Sequence, residues 1–567
     1  GELYEAFCKL QIINIFLGAE DNPQLIFESL NSTGMELSEG DKIRNYILMG
    51  LTPVKLQEQY YNKYWYKIEK YTDYDVSMFI RDYLSIKLQS TPSMKKIYRV
   101  FKEYMEEKPF ENKEMLLEDL LAYARRYENL LKANTGIKDL DDCIERLNKF
   151  EATVTRPFLM EVLKFSENNR NDEIGIDTDD LIKIFQTVES YIFRRQICDI
   201  PTNALSKIFV ALNNEIVRYD GTKDSYLEKF KYALLRKSES GLYPDDVMFS
   251  EALSTKKIYS MRSKNKKYIL ERYENWGTKE IKDVWELINN GTYTIEHIMP
   301  QTLQNDWKES LGKDYESIHE EWVHRLANLT LTAYNSTYSN STFDKKKNSP
   351  NGFSNSGIRM NQRLAKYDKW TLEELEDRNE IMIQQGLQIW PIAKTNYKPT
   401  KKSLDTVTLA DDYNLKGRKI VKNSFKGAEQ TASSWIDMYV NVLSTLHSEN
   451  PLILFQFASD KSDKDLSFYV SDKPGNIYNY KKLDDDLYLF SRTSTDTKIS
   501  LLRKFFSVYK VEEEELFFYL QDRKYAGTAD EIRFDFWETS LPILREKTNR
   551  FINVNPSKKE QIRSLLN

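Results

Sequence analysis

The chain has 567 residues, 40% apolar, 13% aromatic and 30% charged, with a formal net charge of −5. At about 100–200 residues per domain this length predicts several domains with packed cores and excludes a disordered tail. Three scattered cysteines (Cys8, Cys143, Cys198) exclude a disulfide scaffold or cysteine-built zinc site, the apolar runs are too short to cross a bilayer, and the acidic balance requires any nucleic acid to be held by local basic patches.

Residues 1–50 read as helix, turn, helix. Apolar residues recur at helical spacing from Ala6 to Phe16, Asn31 to Gly34 forms a turn, and Ser38 is placed to cap a helix with Asp41 in its first turn. Residues 55–280 are mostly helical by pattern, for example Met115 to Leu131, Leu181 to Ile197 and Asn203 to Val217. A basic helix follows, carrying Lys256, Lys257, Arg262, Lys264, Lys266, Lys267 and Arg272 with Tyr259, Tyr268 and Tyr273 interleaved. Lysines alternating with tyrosines suit either a solvated face or a grip on a nucleic-acid backbone. The pair Arg194-Arg195 is expected to meet nearby acids, with DNA or nucleotide contact as the alternative.

After the Asn290-Gly291 turn the character changes. Short β-like runs occur at Tyr293 to Ile295 and Leu329 to Thr332, and a helix is predicted from Trp370 to Gln385. Residues 391–403 read as a linker. Beyond them, helices are predicted at Ala432 to Leu446 and Thr497 to Tyr509, short apolar runs at Leu452 to Phe457 and Leu466 to Val470, and a strand at Glu515 to Leu520. This is a separate α+β module. Its Asp460, Asp463 and Asp465 lack the glycine and terminal glutamate of a calcium loop. Trp435, Tyr439, Tyr469, Tyr478, Tyr480 and Tyr488 read as core aromatics, with a cage for a flipped base as the alternative. His447 reads as a helix-end residue without an evident partner, and residues 533–537 open a further segment.

Only four histidines are present, and three of them, His297, His319 and His324, share one short stretch. There, Glu296-His297-Ile298-Met299-Pro300-Gln301 is followed by His324, then Asn328-Leu329-Thr330-Leu331, Asn335, Asn340 and Phe343-Asp344-Lys345-Lys346-Lys347. A carboxylate beside an imidazole at a strand end can bind a hard cation and take a proton from water. Phosphodiester hydrolysis needs both functions. An amide oxygen can complete a metal shell without adding charge, and the following lysines can hold flanking phosphates.

These residues resemble an HNH nuclease of the ββα-metal fold, in the branch whose signature runs EHIxPQ, GNLTL, N, SNxxFxxK; Ala327 stands where that signature has glycine. The resemblance implies His297 as general base, Glu296 as metal ligand, Asn335 as the third HNH position near the metal with Asn340 as runner-up, and Asn328 as a catalytic-site residue holding the His-bearing loop. Lys345, Lys346, Lys347, Lys264, Lys266 and Lys267 are the expected DNA-phosphate contacts.

A second resemblance lies in Phe27-Glu28-Ser29-Leu30-Asn31-Ser32-Thr33-Gly34 with Leu37 and Asp41. It is similar to the FExLNxxGxxLxxxD signature of the ParB-like NTPase domain that accompanies this HNH branch. Asn31, Thr33 and Gly34 are the implied nucleotide-binding remnant; the family's upstream DGQQR motif is not in this sequence. The chain opens at Gly1 inside that domain, so a piece of a longer protein is expected. The pairing resembles GmrSD-type modification-dependent (type IV) restriction enzymes and related phage-defence nucleases.

The expected fold is multidomain, mainly α with α+β modules. The NTPase remnant covers 1–95, a helical scaffold 96–280, the HNH module 281–395, an α+β accessory domain 404–525, and the start of a helical segment 526–567. The expected activity is metal-dependent cleavage of double-stranded DNA, modified phage DNA in particular, with Mg²⁺ or Mn²⁺. Control by an NTP is implied, GTP, ATP and UTP being left open. A non-catalytic DNA-binding protein and an HNH-type RNase toxin stay open as alternatives. The expected location is the cytoplasm, with no membrane partner and a homodimer as one arrangement.

Overall fold

The computed structural model describes residues 2–9, 37–49, 51, 53–107, 110, 112–168, 175–219, 223–398, 405–410, 415, 418–459, 466–473 and 479–521. The chain divides into two compact units, Gly1–Lys398 and Pro399–Asn567. The Asn31–Gly34 turn, the three aspartates of 460–465, Tyr478 and residues 533–537 lie outside the described residues.

The first unit is mainly helical, and its helices follow from local signals. Ser38 Oγ accepts the Asp41 amide at 3.1 Å and starts the helix Glu39–Leu48. Asn112 caps Lys113–Lys132 in the same way, and that helix ends at Ala133 with φ 49°. Its Leu116, Leu117, Leu120, Ala124 and Tyr127 form one buried stripe at helical spacing. Each such aliphatic residue stabilises the fold by about 1.5–3 kcal/mol through burial.

The helix Thr178–Ile197 joins two cores. Leu181, Ile184, Phe185 and Val188 pack into a core that runs from Ile43 to Tyr243. Phe193 and Ile197, at its other end, belong to a second core with Phe249, Tyr268, Leu329, Leu331 and Trp390. Trp390 stacks on Phe193 with centroids 3.9 Å apart. The second core therefore takes side chains from both sides of residue 280. Ile392, Ala393 and Tyr397 of the expected linker pack on the first core.

The Arg194-Arg195 pair is buried within this frame. Arg194 donates to the Trp390 and Pro244 carbonyls and pairs with Asp246 at 2.7 Å. Arg195 donates to the carbonyls of Leu242, Pro201 and Ser240. Neither is placed to meet DNA or nucleotide, because their donors satisfy turn carbonyls that would otherwise be buried without partners.

Among the described residues of this unit, two strands form a sheet. β1 (Thr294–His297) pairs antiparallel with β2 (Leu329–Thr332), Glu296 opposite Thr330 and His297 opposite Leu329. The short helices Asn335–Tyr338 and Phe343–Asn348 follow β2. The expected basic helix is interrupted. A short turn at Ile258–Ser260 precedes the helix Ser263–Glu274, which splits the lysines into two groups.

The described residues of the second unit form two antiparallel sheets. The strands β3 (Asp405–Thr408), β4 (Ile420–Phe425), β5 (Ala428–Thr431) and β9 (Leu516–Leu520) run in the order β3-β9-β4-β5. β6 (Val470–Ser471), β7 (Tyr480–Asp484) and β8 (Leu487–Phe490) run in the order β6-β8-β7. Helices Trp435–Glu449, Pro451–Ser459 and Thr495–Tyr509 complete its core. The apolar run Leu452 to Phe457 is thus helical, opened by a proline that is tolerated at a first helical position. His447 has a partner after all, Asp484 at 3.0 Å. Tyr439 is fully buried, Trp435 packs edge-on against Phe518, and Tyr480 packs edge-on against Tyr488. Among the described residues, no helix is long and apolar enough to cross a membrane.

Candidate nuclease site

The site is built at the end of β1. Past the last β1–β2 pair, the Ile298 amide still donates to the Asn328 carbonyl at 2.9 Å. The Asn328 side chain then takes over from the backbone. Its Oδ1 accepts the Met299 amide at 2.8 Å and the Trp370 indole N–H at 3.2 Å. Its Nδ2 donates to the Met299 and Val323 carbonyls at 2.8 and 3.1 Å. All four hydrogen-bonding positions of the amide are filled and the residue is fully buried. Asn328 therefore fixes the segment after His297 and does not reach a substrate. Arg378, also buried, donates to the carbonyls on either side of it, Ala327 and Leu329. Burial pulls its guanidinium down to about 9. Ala327 does not have positive φ, so the turn needs no glycine there.

Adjacent strand residues project to opposite faces, and Glu296 and His297 meet different neighbours. The Glu296 carboxylate is buried, with Lys346 Nζ 2.5 Å from its Oε1. The same ammonium donates to the carbonyls of His297 (2.8 Å) and Ile298 (3.1 Å). Burial pushes the Glu296 carboxyl up and the Lys346 ammonium down, each held back by the other. Lys346 is therefore not a surface phosphate contact. A carboxylate buried at this position requires a cation, and the lysine supplies it.

His297 faces Tyr259 and His324. Burial, then His324 and Lys346, pushes its imidazole down to about 3, so the ring is neutral at ordinary pH. Asn335 is exposed and its Nδ2 lies 3.5 Å from the Ile295 carbonyl, beside β1. Asn340 lies in the next loop, after Ser339 with φ 41°. Among the described residues, no group of three or more His, Cys, Asp or Glu converges as a metal cage.

The other expected phosphate contacts divide. Lys345 is exposed. Lys347 is turned to the Tyr367 carbonyl at 2.7 Å and to Asp368. Lys264 pairs with Glu151, and Lys267 with Asn289 at 2.5 Å. Lys266 lies nearest the histidines, donating to the Tyr259 carbonyl at 2.9 Å. Lys266 and Lys257 both help to lower the His324 imidazole, after burial. Sequence reasoning placed Tyr259 among the tyrosines of the basic stretch and His324 in the histidine-rich stretch, but did not bring either to His297, and it gave no role to Arg378. The clustering of three histidines was the signal available for His324.

Residues 243–385 match the family model described as GmrSD restriction endonucleases, C-terminal domain. The matched stretch contains Tyr259, Glu296, His297, His324, Asn328, Asn335, Lys346 and Arg378. A search of curated proteins finds no match.

Proposed function

We propose that residues 243–385 form an HNH-type endonuclease module that hydrolyses a DNA phosphodiester with a divalent cation, as part of a restriction or anti-phage system. The observation that carries this reading is the placement of His297 at the end of β1, in the strand whose Ile295 carbonyl lies 3.5 Å from the exposed Asn335 amide. A general base must be unprotonated to act. Burial lowers the basicity of His297 most and neighbouring positive charge adds to that; an incoming phosphate brings the opposite charge and offsets this second part. The family match at 243–385 supports the same reading.

Glu296 and Asn335 are the residues that would hold the cation. One carboxylate and one amide oxygen fit Mg²⁺ or Mn²⁺, which keep several waters and take further oxygens from a phosphate. When bound, the ion supplies charge stabilisation for the leaving oxygen. Glu296 can serve only with Lys346 as a neighbour or competitor. DNA modified by phage is the proposed substrate, and nucleotide control is assigned to the stretch 27–34.

Lys346 favours a second reading, because an ammonium already neutralises the carboxylate. In that reading the module clamps DNA without cutting it. Cleavage of plain and modified duplex DNA with Mg²⁺, with and without EDTA, decides between them. The endonuclease reading expects EDTA-sensitive cutting that His297→Ala abolishes while DNA binding persists. Cutting retained in His297→Ala overturns it.

A further inference from the structure

His297 Nε2 lies 3.3 Å from His324 Nδ1. Tyr259 closes the pair from the side. Its ring lies nearly parallel to His324, 12° between planes at 5.4 Å, and edge-on to His297 at 4.3 Å. Tyr259 is itself fixed. Its amide donates to the His324 carbonyl at 3.1 Å, and Lys266 Nζ sits 4.5 Å over its ring while donating to its carbonyl. The other two histidines are engaged elsewhere, His319 with the Pro300 carbonyl and His447 with Asp484. His297 is buried and His324 is partly exposed.

Two ring nitrogens at this distance share one hydrogen. If it sits on His324 Nδ1, His297 carries its own hydrogen on Nδ1 and has no lone pair to offer. If it sits on His297 Nε2, His297 Nδ1 is free to accept a proton. We infer that His324 is a positioning residue for His297: its Nδ1 accepts the Nε2 hydrogen, and with the Tyr259 ring it holds His297 in the one tautomer and ring orientation that leaves Nδ1 as the base. The inference rests on the reading of His297 as general base. His324 touches no reacting atom; it acts through the ring it holds.

The test uses the full chain with His324→Leu and His324→Asn. The asparagine Oδ1 can replace His324 Nδ1 as acceptor, and leucine cannot. Leucine is expected to lower kcat by about 100-fold or more with KM little changed, the signature of a misoriented or wrong-tautomer base. Asparagine is expected to restore kcat to within about 10-fold of the parent. A second readout needs no cleavage. In metal-free protein labelled with ¹⁵N-histidine, His297 is expected as the Nε2–H tautomer in the parent and His324→Asn, and as a tautomer mixture in His324→Leu. Parental kcat in His324→Leu, equal losses in both variants, or an Nδ1–H tautomer in the parent each overturn the inference. A parent that cuts no DNA defeats the endonuclease reading, and the tautomer spectrum then decides the histidine pair by itself.

Discussion

Lys346 Nζ sits 2.5 Å from Glu296 Oε1, and both side chains are buried at the end of β1. Their interaction does not repay desolvation generously, yet removing one partner strands a charge. Lys346→Met is expected to destabilise the protein by about 3–5 kcal/mol, read from denaturant midpoints. Glu296→Gln combined with Lys346→Met should recover much of that loss. Mg²⁺ should raise the melting temperature of Lys346→Met more than that of the parent, because the vacated carboxylate then accepts the ion. Equal stability of the single and double variants would show that the pair is not coupled.

Asn328 connects the fold to the chemistry. Asn328→Ala leaves the Met299 amide and the Met299 and Val323 carbonyls without their partners in a dry interior. A loss of about 2–4 kcal/mol is expected, with faster hydrogen exchange at Met299 than elsewhere. Unchanged exchange at Met299 would remove Asn328 from the role of anchoring this segment.

Features set by neighbouring residues were legible in the sequence. Ser38 caps the helix Glu39–Leu48 as its position before Asp41 predicts, because a cap is a contact over three residues. The β1 and β2 runs were visible as short β-like segments. What pairs with Glu296 was not, since Lys346 lies 50 residues on and its ammonium reads in sequence as one of three surface lysines. The Tyr259–His324 contact is hidden for the same reason. The weakly patterned β5 and β7 escaped because short strands exposed to water carry little hydrophobic alternation. Pro451 marked a helix start inside an apolar run too short for periodicity to identify.

The lysines that face the histidines only partly match those that the sequence favoured, Lys266 being common to both. Lys257 is exposed and Lys266 lies over Tyr259, whereas Lys264 is paired with Glu151. Lys257→Ala is expected to weaken DNA binding across sequences and to reduce the slope of log K against log salt by about 1. Lys264→Ala should leave the slope unchanged. The reverse pattern in a salt titration would place the DNA path over the Ser263–Glu274 helix and away from His324.

Asp82, on the helix Val76–Leu88, provides a pH test in the helical region. Burial raises its carboxyl to about 7, with Arg156 and Arg81 holding it back. A carboxyl raised on folding contributes stability that is fully present below its unfolded value and is lost as pH rises through its folded value. The loss therefore accumulates between roughly pH 4 and pH 7 and is complete above that, at about 4 kcal/mol as an upper bound. Asp82→Asn cannot ionise. Its stability relative to the parent should increase by several kcal/mol from about pH 4.5 to about pH 8 and level off beyond, measured by urea unfolding across that range. Parallel stability curves for the two proteins would show that the Asp82 carboxyl titrates alike in the folded and unfolded chains.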